Sequence, residues 1–88
     1  LAWTIEYTEP AEKILSRLDR KVARRIVTFL DERIAAADDP RSQGRALSGA
    51  LRGQWRYRVG DYRIICRIED RRLIVLVIDI GHRGDVYR

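Results

Sequence analysis

The sequence predicts an α+β domain: an N-terminal strand, an antiparallel helical hairpin, then a three-stranded antiparallel meander, forming one small sheet with the helices on one face. Three observations carry that expectation. Residues 3–7 alternate with period two, residues 11–34 place apolar side chains at helical spacing, and residues 54–80 return to strand character between turn signals. With 88 residues there is room for a single domain, 1–88, and no second core. An apolar fraction of 45% is that of a globular chain.

Trp3-Thr4-Ile5-Glu6-Tyr7 reads as the first strand. Thr8 suits an N-cap, with Pro10 tolerated in the first helical turn. The helix so opened aligns Ala11, Ile14, Leu15 and Leu18. Asp19 caps a longer helix that buries Val22, Ile26, Phe29, Leu30 and Ile34, with Lys21, Arg24, Arg25, Asp31 and Glu32 on a solvated outer face. Residues 38–44 are a loop on composition, and residues 46–51 are an apolar connection too interrupted by glycine to assign. Three strands follow, at about Gln54–Val59, Tyr62–Glu69 and Arg72–Ile80, turning at Gly60-Asp61 and at Glu69-Asp70-Arg71-Arg72. Leu73-Ile74-Val75-Leu76-Val77-Ile78 has no polar interruption, which predicts a central strand covered on both faces. The helices cover one face, and part of the other is expected to await a partner. Gly81 is expected to end the last strand, leaving 82–88 as a tail.

Charge is unevenly distributed around a net +5. Residues 1–40 hold 7 basic and 8 acidic side chains, whereas residues 41–88 hold 11 arginines and 5 acids. A basic half favours a localised anionic partner. In Trp55-Arg56-Tyr57-Arg58-Val59 the strand period puts Arg56 and Arg58 on one face, and the hairpin brings Arg63 back beside them. Guanidinium groups crowded in this way call for an anion among them, and a polyphosphate chain fits. Cys66, the single cysteine, excludes an internal disulfide framework, suits a reducing cytosol and reads as a buried, inert thiol. One Cys and one His make no credible metal site, so no metal or cofactor is expected. No apolar run approaches the roughly 20 residues that span a bilayer, and no signal-peptide pattern opens the chain.

Leu47-Ser48-Gly49, the run Trp55-Arg56-Tyr57-Arg58-Val59-Gly60-Asp61-Tyr62-Arg63-Ile64-Ile65, and Val77-Ile78-Asp79-Ile80-Gly81-His82-Arg83 with Val86-Tyr87 resemble the RelE branch of the RelE/ParE toxin superfamily. The likeness covers nearly the whole chain and is most specific at the Gly-Asp-Tyr-Arg hairpin and the Gly-His-Arg-x-x-x-Tyr ending. It implies a RelE-like fold and the toxin of a type II toxin–antitoxin pair. Such a toxin enters the A site of the 70S ribosome and cuts mRNA there. A RelB-like antitoxin inactivates it, and the pair binds operator DNA to repress its own operon. The expected location is the bacterial cytoplasm, with no membrane partner. By resemblance the family's positions fall on Arg56, Arg58, Arg63, Arg83 and Tyr87, with Arg58, Arg63, Arg83 and Tyr87 catalytic; Arg56, Arg58, Arg63 and, by its chemistry, His82 are expected at the substrate. The Arg83–Tyr87 spacing is shorter than in some members. The family often has lysine at the first two positions; arginine there stabilises charge but is a poor base, because it does not lose its proton in proteins.

RNA cleavage without metal requires removal of the ribose 2′-proton, stabilisation of a phosphorane and protonation of the leaving 5′-oxygen. Arginines serve the second need, each preorganised donor being worth about 10²–10³ in rate. Arg63 is expected to clamp the phosphate, with Arg56 and Arg58 supporting it, while by resemblance Arg83 stabilises the leaving side. For the base the sequence leaves Tyr87, His82, Asp61 and Asp85. Tyr87 ranks first by resemblance and His82 second, histidine titrating nearest neutrality. Trp55, Tyr57 and Tyr62 are expected to pack rather than stack on RNA. Two other functions compete: a ParE-like toxin that poisons DNA gyrase, and a non-catalytic module whose arginines touch nucleic-acid phosphates.

Overall fold

A computed structural model describes residues 2–83. The first strand, β1 (Thr4–Tyr7), exposes Thr4 and Glu6 and half-buries Ile5 and Tyr7, as its alternation requires. Thr8 Oγ1 accepts the Ala11 N–H at 3.3 Å and opens α1 (Glu9–Arg17), whose first turn carries Pro10, Glu9 and Glu12. Proline there gives up no helical hydrogen bond, and the carboxylates face the positive end of the helix dipole. Leu18 turns out of the helix at ψ 157°, and Asp19 at once caps α2 (Arg20–Phe29), its Oδ1 accepting the Lys21 N–H at 2.8 Å. The apolar stripes face the sheet rather than each other: α1 packs along β5 (Ile74–His82) and α2 toward β3 (Trp55–Val59).

The second helix does not stay α-helical. Leu30–Ala35 is wound as a π-helical turn. Ile26, Leu30 and Ile34 repeat at every fourth residue, which in an α-helix advancing about 100° per residue drifts about 40° at each step. A wider turn advances less per residue and returns Ile34 toward the sheet. All three side chains are buried. The Trp3 N–H then donates to the Ala35 carbonyl at 3.0 Å, closing this end against β1.

The remaining strands are β2 (Arg45–Ala46), β3, β4 (Tyr62–Glu69) and β5, in the order β1-β5-β4-β3-β2, with β1 parallel to β5 and the other pairs antiparallel. The α+β class holds, but among the described residues the sheet has five strands where four were expected. The additional one is two residues long, too short to show a period. The uninterrupted apolar strand is interior, between β1 and β4, although β4 holds the middle. It starts at Ile74 rather than Arg72, because a 3₁₀ turn over Asp70–Arg72 and a left-handed Leu73 (φ 53°) come first. It runs through Gly81 to His82 rather than stopping at Ile80. Glycine keeps both backbone hydrogen-bonding groups, so the ladder continues past it. A bulge at Ile65/Cys66 lets Ile78 sit as an extra residue between Val77 and Asp79.

On the helix side, Tyr57, Val59, Ile64, Cys66, Val75, Val77 and Ile80 meet Trp3, Ala11, Ile26, Leu30 and Ile34 in one core. Burial pushes the Cys66 thiol well above its ordinary range, so it stays protonated within that core. Tyr57 is fully buried, edge-on to Phe29, and its hydroxyl donates to the Pro40 carbonyl at 2.6 Å. Trp55 Nε1–H donates to the Gln43 carbonyl at 2.7 Å. These bonds hold the 40–44 loop on β3, as their expected packing role implies. Gly44 makes the close approach possible: at φ +83° a Cβ there would overlap the Arg56 carbonyl and lie 2.6 Å from Trp55 Nε1. Arg41 grips Asp70 with two bonds of 2.8 and 3.0 Å, tying the same loop to the β4–β5 turn.

Candidate nucleic-acid interface

The register that builds the core also gathers the arginines. Arg58 lies directly opposite Arg63, Arg63 opposite Gly81, Arg56 opposite Ile65, and Arg45 opposite Arg56. Side chains at opposed positions share a face, so Arg45, Arg56, Arg58 and Arg63 all stand on the side away from the helices. Gly60, at φ +59°, makes the tight β3–β4 turn that sets this register. Beyond β5, the Arg83 N–H donates to the Asp61 carbonyl at 2.7 Å, which carries the pairing one step further and brings Arg83 to the same end.

Arg58, Gly60, Asp61, Arg63 and Arg83 line one recess of about 120 Å³. A larger cleft of about 430 Å³ adjoins it through Arg58 and is lined also by Gln43, Gly44, Arg45 and Arg56. Directly opposed like charges destabilise a sheet, yet β3 and β4 keep Arg58 against Arg63. Among the described residues, Arg45, Arg56, Arg58 and Arg83 form no ion pair with a carboxylate. The Nε of half-buried Arg56 is buried without a hydrogen-bond partner. Such a set of donors can hold a phosphate from several directions and stabilise extra negative charge on it.

The structure thus brings together Arg58, Arg63 and Arg83, with Arg56 along the same face. His82 is not part of that group. It pairs with Tyr62 on the helix side of the sheet, where the two rings meet edge-on at 5.3 Å. Asp61 lines the recess. Tyr87 and Asp85 lie outside the described residues. Arg45, which lines the cleft beside Arg56, and Arg25 are residues the sequence did not point to. Arg25 is exposed, as a solvated helix face requires, and it also sets its guanidinium over the β3–β4 turn, where a Cβ on Gly60 would lie 3.0 Å from Arg25 Nη1. The signal was the bare glycine in the turn, which leaves room for a long side chain from another element.

A family model described as ParE toxin of type II toxin–antitoxin system matches residues 5–87. Toxin RelG of Mycobacterium tuberculosis is 28% identical over 88 residues, covering 100% of this chain and 99% of that one. Toxin RelE of the same organism is 32% identical over 84 residues, with coverage of 96% and 84%. The solved RelBE2 toxin–antitoxin complex from M. tuberculosis superposes with a TM-score of 0.85 at 27% identity, over 97% of this chain and 95% of that one. The match runs through the hairpin and last strand that carry the arginines, and the chain is a RelE-like toxin of the RelE/ParE superfamily, belonging to the ParE toxin family of type II toxin–antitoxin systems.

Proposed function

We propose that this toxin is a metal-independent endoribonuclease that cuts mRNA in the ribosomal A site, by attack of a ribose 2′-hydroxyl on the adjacent phosphate. The observation that carries this reading is the convergence of Arg58, Arg63 and Arg83 on one recess, from two strands and the chain just past a third. Arg63 clamps the scissile phosphate, Arg58 and Arg56 support it and orient the backbone, and Arg83 stabilises the leaving oxygen. Tyr87 removes the 2′-proton. His82, on the other side of the sheet, has a lesser part. The ribosome completes the positioning.

A RelB-like antitoxin neutralises the toxin, and the complex binds operator DNA; relatives solved as toxin–antitoxin complexes support this partner. The toxin acts in the cytoplasm, where ribosomes are. No helix of the described residues is long and apolar enough to cross a membrane.

The ParE description of the family favours a second reading, gyrase poisoning. One experiment separates them: translating ribosomes with added toxin, primer extension to map mRNA breaks, and gyrase supercoiling measured in parallel. The ribonuclease reading expects A-site breaks and unaffected supercoiling; inhibited supercoiling without breaks overturns it. Tyr87→Phe should lower single-turnover cleavage by about 10²–10⁴, the range for lost general acid–base help, and His82→Gln should do less. The reverse order would make histidine the proton-transfer group.

A further inference from the structure

Helix α2 presents a second basic wall to the same turn. Arg25, Thr28, Phe29, Glu32 and Arg33 line a recess of about 380 Å³ together with Arg58, Val59 and Gly60. Their spacing is that of a single helical face, carried onto the π-helical turn that holds Glu32 and Arg33. This recess shares Arg58 and Gly60 with the Arg58/Arg63/Arg83 recess, so the two meet at the β3–β4 turn. Phe29, half-buried, also borders the cleft that holds Arg45 and Arg56. Arg25 and Arg33 are exposed and, among the described residues, neither pairs with a carboxylate, Glu32 included.

We propose that Arg25, seated over Gly60, and Arg33 hold the RNA phosphate next to the scissile one, so that the RNA backbone crosses the β3–β4 turn from the sheet onto helix α2. The inference rests on the ribonuclease reading and adds its substrate path. Continuity decides the occupant: a chain with a phosphate at every residue can engage Arg63, Arg58 and Arg25 in succession, whereas an isolated anion fills one recess only. Gly60 is part of the device, because a side chain there would crowd the Arg25 guanidinium over the turn, and Gly60, Arg25 and Arg58 line one recess.

The test uses the full chain, released from its antitoxin, and a short single-stranded RNA with 2′-O-methyl riboses that binds but cannot be cut. Arg25→Gln should weaken binding about tenfold at low salt and lower the slope of log Kd against log salt by about 0.7, the value for one single-strand phosphate contact. Arg25→Lys should restore the slope, and neither variant should move the melting temperature, Arg25 being exposed. Arg33→Gln should act in the same direction. If Arg63→Gln weakens RNA binding while Arg25→Gln leaves affinity and slope unchanged, the path over α2 is wrong and the ribonuclease reading stands. Wild-type protein that fails to bind the RNA at low salt overturns the path, and A-site cleavage on translating ribosomes, measured on the same preparation, decides the ribonuclease reading separately. If Arg25→Gln weakens the antitoxin complex and not RNA binding, the wall belongs to a protein partner and the proposal is overturned.

Discussion

The two faces of the β3–β4 hairpin differ in almost everything although they alternate residue by residue. Tyr57, Val59, Ile64 and Cys66 face the helices and are buried, whereas their neighbours Arg56, Arg58 and Arg63 face away and reach half-exposed or exposed surroundings. The helix face has its buried hydroxyl satisfied by Pro40 and its thiol held protonated. The arginine face keeps like charges directly opposed and, among the described residues, leaves the Arg56 Nε buried without a partner. The helix face carries most of the hairpin's core, and the other face gathers the arginines around the buried Ile65. A period of two is what allows one short hairpin to do both.

The contrast breaks most visibly at Tyr57. Tyr57→Ala should destabilise the toxin by about 3–5 kcal/mol through lost burial, read as a shift in the urea midpoint. Loss of the bond to Pro40 also frees the 40–44 loop. Arg58→Gln, one residue away, should leave stability unchanged or raise it slightly, because it relieves the opposed pair with Arg63.

Gly44→Ala is the next largest. A Cβ at φ +83° that overlaps β3 strains both loop and strand, at about 1–3 kcal/mol. It should also disturb the edge of the Arg45/Arg56 cleft, seen as altered RNA binding in the folded fraction.

The smallest effect sharpens the helix-side account. Burial, first, and then the negative charge of Asp31 push the Tyr7 phenol up to about 12. A folded pKa above the unfolded one stabilises the fold at lower pH, and that contribution is lost as pH rises above about 10, where the unfolded phenol ionises. Among the described residues, the Tyr7 hydroxyl is buried without a hydrogen-bond partner. Tyr7→Phe should therefore change neutral stability by less than about 1 kcal/mol and flatten the loss between pH 10 and 12, measured by denaturation across that range.

Much of this division was legible in the sequence. Thr8 and Asp19 announced both helix starts, and the alternation at 55–59 put Arg56 and Arg58 opposite Tyr57 and Val59. Other features depend on contacts far apart in the chain. Nothing local signals that β1 runs parallel to β5, or that Arg25 reaches Gly60. The π-helical turn depends on where Ile34 must meet the sheet. His82 stands out in the sequence because histidine is the commonest acid–base side chain, and only the register, which pairs it with Tyr62, shows that it lies on the other face.

The partition of the hairpin is tested most directly by Arg63→Ala, with A-site cleavage on translating ribosomes and thermal unfolding measured on the same preparation. The account predicts cleavage lowered by about 10² or more, as for a lost phosphorane donor, with the melting temperature nearly unchanged. Full cleavage by a correctly folded Arg63→Ala toxin would contradict it.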